Sequence, residues 1–228
     1  NWYAQIGSAV INTTAAVADV WKFIEFQYDG SQIELFIDGT SVGTASNSTN
    51  AQNTGLFIGK LWASNYNIIG YIADLRVING TASGSSTVPT QRLTAETGTA
   101  LLTCHLPYIV DGSTNNHSLT INGNTKTDPF TPYDRGSYSS SVDGGSIFLD
   151  GSGDYLQTSA SSDLTVGTGE FTLECWFKVT QDTQQTILAL MASSTNVLNI
   201  FYYHTNDSIG INDGSWVTGN EGSGDNHD

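Results

Sequence analysis

The most constraining feature of this sequence is a two-residue alternation of apolar and polar side chains, cut into short runs by Asp-Gly and Asn-Gly pairs. Asp-Gly stands at 29–30, 38–39, 111–112, 143–144, 150–151 and 213–214, and Asn-Gly at 79–80 and 122–123. Such pairs accept the positive φ angles of the tight turns that join antiparallel strands. Eight of them in a chain with four prolines imply many short hairpins.

The strands between the turns are legible. Ile33, Leu35 and Ile37 face one way, and Gln32, Glu34 and Asp38 the other. Phe171, Leu173, Cys175, Phe177 and Val179 form one face of a second strand, opposite Thr172, Glu174, Trp176 and Lys178. Tyr71, Ala73, Leu75 and Val77 alternate with Ile72, Asp74, Arg76 and Ile78; apolar residues on both faces mark a central strand. Residues 201–203 and 209–211 add shorter strands. No segment holds a helical period, and Ala15–Ala18 is too short to start one. The fold class is all-β.

Charge narrows the partners. Acidic residues number 22 against seven basic ones, for a net charge of −15. A phosphate backbone demands a basic patch, so no nucleic-acid partner is expected. No apolar run approaches the roughly 18 residues that span a bilayer, so membrane insertion is not expected either. The carboxylates serve solubility, or a few of them hold Ca²⁺, which takes oxygen ligands. Cys104 and Cys175 lie in apolar alternating runs. Two buried free thiols is the default reading and one disulfide the alternative.

Residues 81–90 are rich in Ser, Thr and Gly and read as the start of a linker over 83–99. It separates 1–82 from 100–228. In the first part, the run Trp21 to Phe26, then Ile33 to Thr40, Leu56 to Gly59 and Gly70 to Val77, resembles the closing strands of laminin-G-like, concanavalin A-like jelly rolls. In the second, Ser146 to Leu156 and Phe171 to Phe177 resemble the opening strands of the same domain. The lead-in through Leu101 to Cys104 and Asp111 to His117 is similar to tandem domains of bacteriophage tail-fibre and virion surface proteins. The resemblance implies an antiparallel β-sandwich (jelly roll) at an extracellular or virion surface. It also implies a structural or adhesive role that contacts glycans or neighbouring subunits.

The order is anomalous, because closing strands precede opening strands. The chain therefore carries its sandwich in circularly permuted order, or joins strands from two adjacent repeats. A half-sandwich would expose about ten large apolar side chains, forfeiting roughly 15–30 kcal/mol, more than the ~5–15 kcal/mol stability of a whole domain. The two parts are expected to complete one sandwich, within the chain or by self-association between copies. Completion within the chain predicts that residues 1 and 228 lie close together.

Hydrolysis of glycans needs paired carboxylates, and no Glu-x-Asp-x-x-Glu run exists here. Glu25 and Glu34 read as isolated members of solvated faces. His105, His117, His204 and His227 lack metal spacing, and nothing marks a nucleophile. The expectation is a non-enzymatic module that requires no cofactor. Candidate glycan-binding residues are loop aromatics beside amides: Trp62, Asn65, Tyr66 and Asn67 in one loop, Asn212 and Trp216 in another. The alternative for these aromatics is that they plug the ends of the core. A Ca²⁺-assisted lectin is the alternative function, with Asp207 and Asp213 as metal ligands and Asp182 near a further strand. A polysaccharide-degrading enzyme comes third.

Overall fold

The alternating runs pair into two antiparallel sheets. The computed structural model describes residues 2–6, 9–13, 18–47, 50, 55–61, 66–133, 136–192 and 195–202. In chain order the strands are β1 (Trp2–Ile6), β2 (Ala9–Thr13), β3 (Lys22–Tyr28), β4 (Gln32–Ile37), β5 (Thr40–Ser46), β6 (Gly55–Ile58), β7 (Ile69–Asn79) and β8 (Thr99–Thr103). They continue as β9 (Leu119–Asn122), β10 (Lys126–Asp128), β11 (Ser146–Asp150), β12 (Tyr155–Thr158), β13 (Phe171–Val179), β14 (Gln185–Ala192) and β15 (Thr195–Tyr202). The one helical element among the described residues is a 3₁₀ turn at Ser162–Leu164.

One sheet runs β2-β1-β15-β14-β6-β12-β9 and the other β10-β11-β7-β13-β3-β4-β5, with β8 also on β7. The architecture is an antiparallel β-sandwich of the jelly-roll kind. The two ends of the sequence interleave in both sheets. β13 lies between β7 and β3, and β6 lies between β14 and β12. Trp2 of β1 stands opposite Tyr202 of β15. Residues 1 and 228, whose proximity was expected, lie outside the described residues.

Side chains from both sheets fill one apolar layer. Ile24, Phe26, Ile33 and Leu35 meet Leu56, Ile58, Leu188 and Ile200 there, all 1% exposed or less. This is the alternation read from β4 and β13. Cys104 and Cys175 are free thiols in the same layer, and burial pushes the Cys104 thiol up to about 12. The default reading of the cysteines holds.

Two local expectations need correction. The first concerns the turns. Asp29-Gly30 and Asp38-Gly39 do join hairpin strands, with Asp38 at φ 48° and Gly39 at φ 76°. Asn122-Gly123 and Asp150-Gly151 instead carry the chain from one sheet to the other, between β9 and β10 and between β11 and β12. Asp-Gly reports a positive φ and not the identity of the next partner strand. Asp154, fully buried, ties these two corners together. Its Oδ1 accepts from the Asn124 amide at 2.7 Å and its Oδ2 from the Asp150 amide at 2.9 Å.

The second concerns β7. The period-two reading put Tyr71, Ala73, Leu75 and Val77 on one face. In the structure Leu75 and Val77 join the core, while Tyr71 and Ala73 face outward. A β-bulge causes the switch: Glu174 pairs with Arg76 but Trp176 with Ala73, so one extra β7 residue is accommodated. Asp74 absorbs it at φ 49°. The bulge divides one edge of β7 between β11, opposite residues 69–72, and β8, opposite 75–78.

The stretch that reads as a linker packs as a strap over the outward face of the β7-β13-β3 sheet. Thr172 Oγ1 donates to the Thr81 carbonyl at 2.8 Å, and Arg76 donates to the Thr94 carbonyl at 2.8 Å. Val88 packs against a cluster containing Phe23, Ala73, Tyr133 and Trp176. Ser, Thr and Gly content signals irregular backbone; it does not exclude hydrogen bonds to a sheet.

Candidate functional site

The outward face of this second sheet collects most of the molecule's unusual chemistry. Along β3 the outward residues are Phe23, Glu25 and Gln27. Along β13 they are Thr172, Glu174, Trp176 and Lys178. The backbone alternation that buries Ile24 and Cys175 points these groups the other way.

Beneath the strap lies a buried polar layer. Glu25 and Glu174 are direct cross-strand partners, and Glu174 is also opposite Arg76. Arg76 binds the Glu174 carboxylate through Nη2 at 2.5 Å and Nε at 2.7 Å. Its Nη1 lies 3.3 Å from Glu96 of the strap. Gln27 Nε2 donates to Glu25 at 2.5 Å and to the Ser85 carbonyl at 2.8 Å, while its Oε1 accepts from the Gly84 amide at 2.8 Å. Burial pushes the Glu174 carboxyl up to about 7 against the pull of Arg76, and raises Glu25 as well. Glu25 was read as a solvated surface carboxylate; it is 7% exposed and half of a carboxylate pair. Its partner is distant in the sequence, which is why no local motif displays the pair.

A second buried chain runs from Trp176 to the bulge. Trp176 Nε1 donates to the Tyr133 hydroxyl at 3.1 Å, which donates to Asp74 Oδ2 at 2.5 Å. Burial raises the Asp74 carboxyl to about 7 and moves the Tyr133 phenol strongly upward. These groups anchor the bulge and the loop that crosses it.

Where the strap begins, the face opens into a polar groove of about 200 Å³ between strap and sheet. Gln27, Asp29, Gln32, Glu34, Thr44 and Ser83 line it. Hydrogen bonds from the Gln32 and Ser31 backbone amides hold the Asp29 carboxyl below its ordinary range. Ser41 donates to Glu34. The groove thus offers carboxylate acceptors, amides and hydroxyls within one small volume.

The residues picked from the sequence fall elsewhere. Tyr66 packs against Phe57, Leu61 and Phe201 on the outward face of the other sheet. Asn67 Nδ2 donates to the Gly151 carbonyl at 3.1 Å. Asp182 Oδ1 accepts from the Tyr202 hydroxyl at 2.8 Å. Trp62, Asn65, Asn212, Trp216, Asp207 and Asp213 lie outside the described residues. Among the described residues no group of three or more His, Cys, Asp and Glu is placed to hold a metal ion.

The first part of the sandwich has a recognisable likeness. Residues 1–86 match the laminin-G-like family of the concanavalin A-like lectin/glucanases superfamily. The matched stretch supplies β1 to β7, including the outward residues of β3 and the first part of the strap. The remaining strands of the sandwich, β8 to β15, come from residues beyond it. No curated protein matches the chain.

Proposed function

We propose that this chain is a non-enzymatic carbohydrate-binding module, adhesive in an extracellular or virion-surface setting. The observation that carries the reading is the groove between the strap and β3 to β5. Its acceptors and donors suit the hydroxyls of a sugar, and rigid strands hold most of them. Copies presented together, by self-association or in adjacent repeats, would multiply weak binding into firm attachment. No cofactor is required, and Ca²⁺ is an optional addition to the reading.

Hydrolysis has one observation in its favour. Glu25 and Glu174 are a directly opposed carboxylate pair, and glycosidases act through two carboxyl groups that flank the scissile bond. Against it, Glu174 is held by Arg76 and both glutamates lie under the strap. A substrate would have to displace the strap before either carboxylate could meet a glycosidic oxygen.

The test is a glycan array with and without Ca²⁺, followed by calorimetry on the strongest hit. Binding that falls at least tenfold in Gln32→Ala and Glu34→Ala supports the groove. Release of reducing sugar that disappears in Glu25→Gln and Glu174→Gln would replace binding with hydrolysis. No binding to any glycan would overturn the reading.

A further inference from the structure

At the other end of the outward face of β3 from the groove, four strands align one cross-strand row. Lys126 of β10 stands opposite Phe148 of β11, Phe148 opposite Tyr71 of β7, and Tyr71 opposite Lys178 of β13. Trp21, just before β3, extends the row, its ring centroid 6.2 Å from that of Tyr71. Phe130 joins these rings, 5.4 Å from Trp21 and 4.9 Å from Tyr71, and is 40% exposed. Lys126 Nζ sits 5.3 Å from the Phe148 ring centre and Lys178 Nζ 5.4 Å from that of Phe130.

The row is unusual for this chain. In a chain with seven basic residues against 22 acidic ones, this row places a lysine at either end of a pair of aromatic rings. Asp19 lies 3.6 Å from Lys178, and its carbonyl accepts from the same ammonium at 2.8 Å, which holds that charge over the rings. The indole N–H of Trp21 is shielded, with no acceptor among the described residues.

We propose that this row, with Phe130 and Trp21, is a subsite for an anionic oligosaccharide such as a uronic-acid chain. The rings offer negative π faces to the C–H face of a pyranose. The two ammonium groups offer point charges to its carboxylates. Either feature alone would be common on a surface; rings flanked by ammonium groups in one register select a ligand that carries both flat apolar faces and anionic groups. An acidic peptide satisfies the lysines but not the stacking, and a neutral glycan the reverse. The proposal rests on the carbohydrate-binding reading and deepens it.

Calorimetry with tetragalacturonate, neutral galactotetraose and hexaglutamate separates the cases, using the full chain and variants with unchanged melting temperature. Tetragalacturonate should bind at least tenfold more tightly than galactotetraose, and more weakly as salt rises. Lys126→Gln and Phe130→Ala, both at exposed positions, should each weaken it about fivefold or more. Tyr108→Ala, at an exposed position outside both the groove and the row, should leave it unchanged. Equal binding of the neutral tetrasaccharide, or equal competition by hexaglutamate, would overturn the proposal. Glycan binding that responds to Gln32→Ala but not to Lys126→Gln or Phe130→Ala would overturn it too, while sparing the carbohydrate-binding reading. Absence of binding to every saccharide would overturn both.

Discussion

Glu174 of β13 stands directly opposite Glu25 of β3, and Arg76 on the other side of Glu174 is the cation that holds the row together. Two buried carboxylates share one guanidinium, which also reaches Glu96 and the Thr94 carbonyl of the strap. Removing one partner of a buried ion pair leaves an uncompensated charge, at a cost of about 3–5 kcal/mol. Arg76→Met should therefore lower stability by that order in urea denaturation. The Glu174 carboxyl, already raised to about 7, then escapes by taking up a proton. The loss should be smaller at pH 6 than at pH 8, and Glu174→Gln added to Arg76→Met should recover part of it. A loss below about 1 kcal/mol at pH 8 would mean that the row contributes little.

The same burial makes stability depend on pH in a defined direction. Asp74 and Glu174 hold their protons in the folded chain to about pH 7, from ordinary values of 3.8 and 4.5. Their contribution is fully present below those ordinary values and is lost as pH rises through about 7. Each such group removes about 1.4 kcal/mol per pH unit between its two pKa values. His105 acts oppositely: burial lowers it from 6.5 to about 4, so the folded chain gains stability as pH rises between those values. From pH 6.5 to 7 the two carboxylates act unopposed. The melting temperature should fall between pH 6 and pH 8. Relief of self-repulsion in a chain of net charge −15 acts in the same direction, so variants must assign the effect. Asp74→Asn, which tolerates the positive φ of the bulge, should flatten the fall, and His105→Gln should steepen the slope between pH 5 and 6.5. An unchanged slope in Asp74→Asn would refute the assignment to the bulge.

How much of this was legible in the sequence follows from the range of each signal. Alternation in β4 and β13 identified Ile33, Leu35, Phe171 and Cys175 as inward residues because a strand fixes faces locally. It failed in β7 at Asp74, since a bulge leaves no trace in hydrophobicity when both faces are apolar. Asp-Gly pairs located bends but not the sheet that receives the next strand. The carboxylate pair and the lysine–aromatic row were invisible for a different reason. Glu25 meets Glu174, and Phe148 meets Tyr71, only through register between strands far apart in the chain. Loop aromatics such as Tyr66 drew attention because they stood beside amides; the rings that gather around Phe130 come from separate runs.

The interleaved strand order gives the most direct test of the fold. In one sheet β13 has β7 and β3 as neighbours, and in the other β6 has β14 and β12. Cutting the chain after residue 82 would strip β13 of both neighbours, and β6 of both of its own. Each fragment would then expose the inward faces that the sandwich buries, which outweighs ordinary domain stability. Fragments 1–82 and 83–228 should each show poor dispersion in amide NMR spectra and no cooperative thermal transition. Mixed at equal concentration, they should recover a dispersed spectrum and a cooperative transition. The midpoint of that transition should rise with protein concentration, because folding has become bimolecular. A cooperative transition in fragment 1–82 alone would show that its strands can close a core without β13 and β14. The register in which Trp2 meets Tyr202 would then be dispensable to the sandwich.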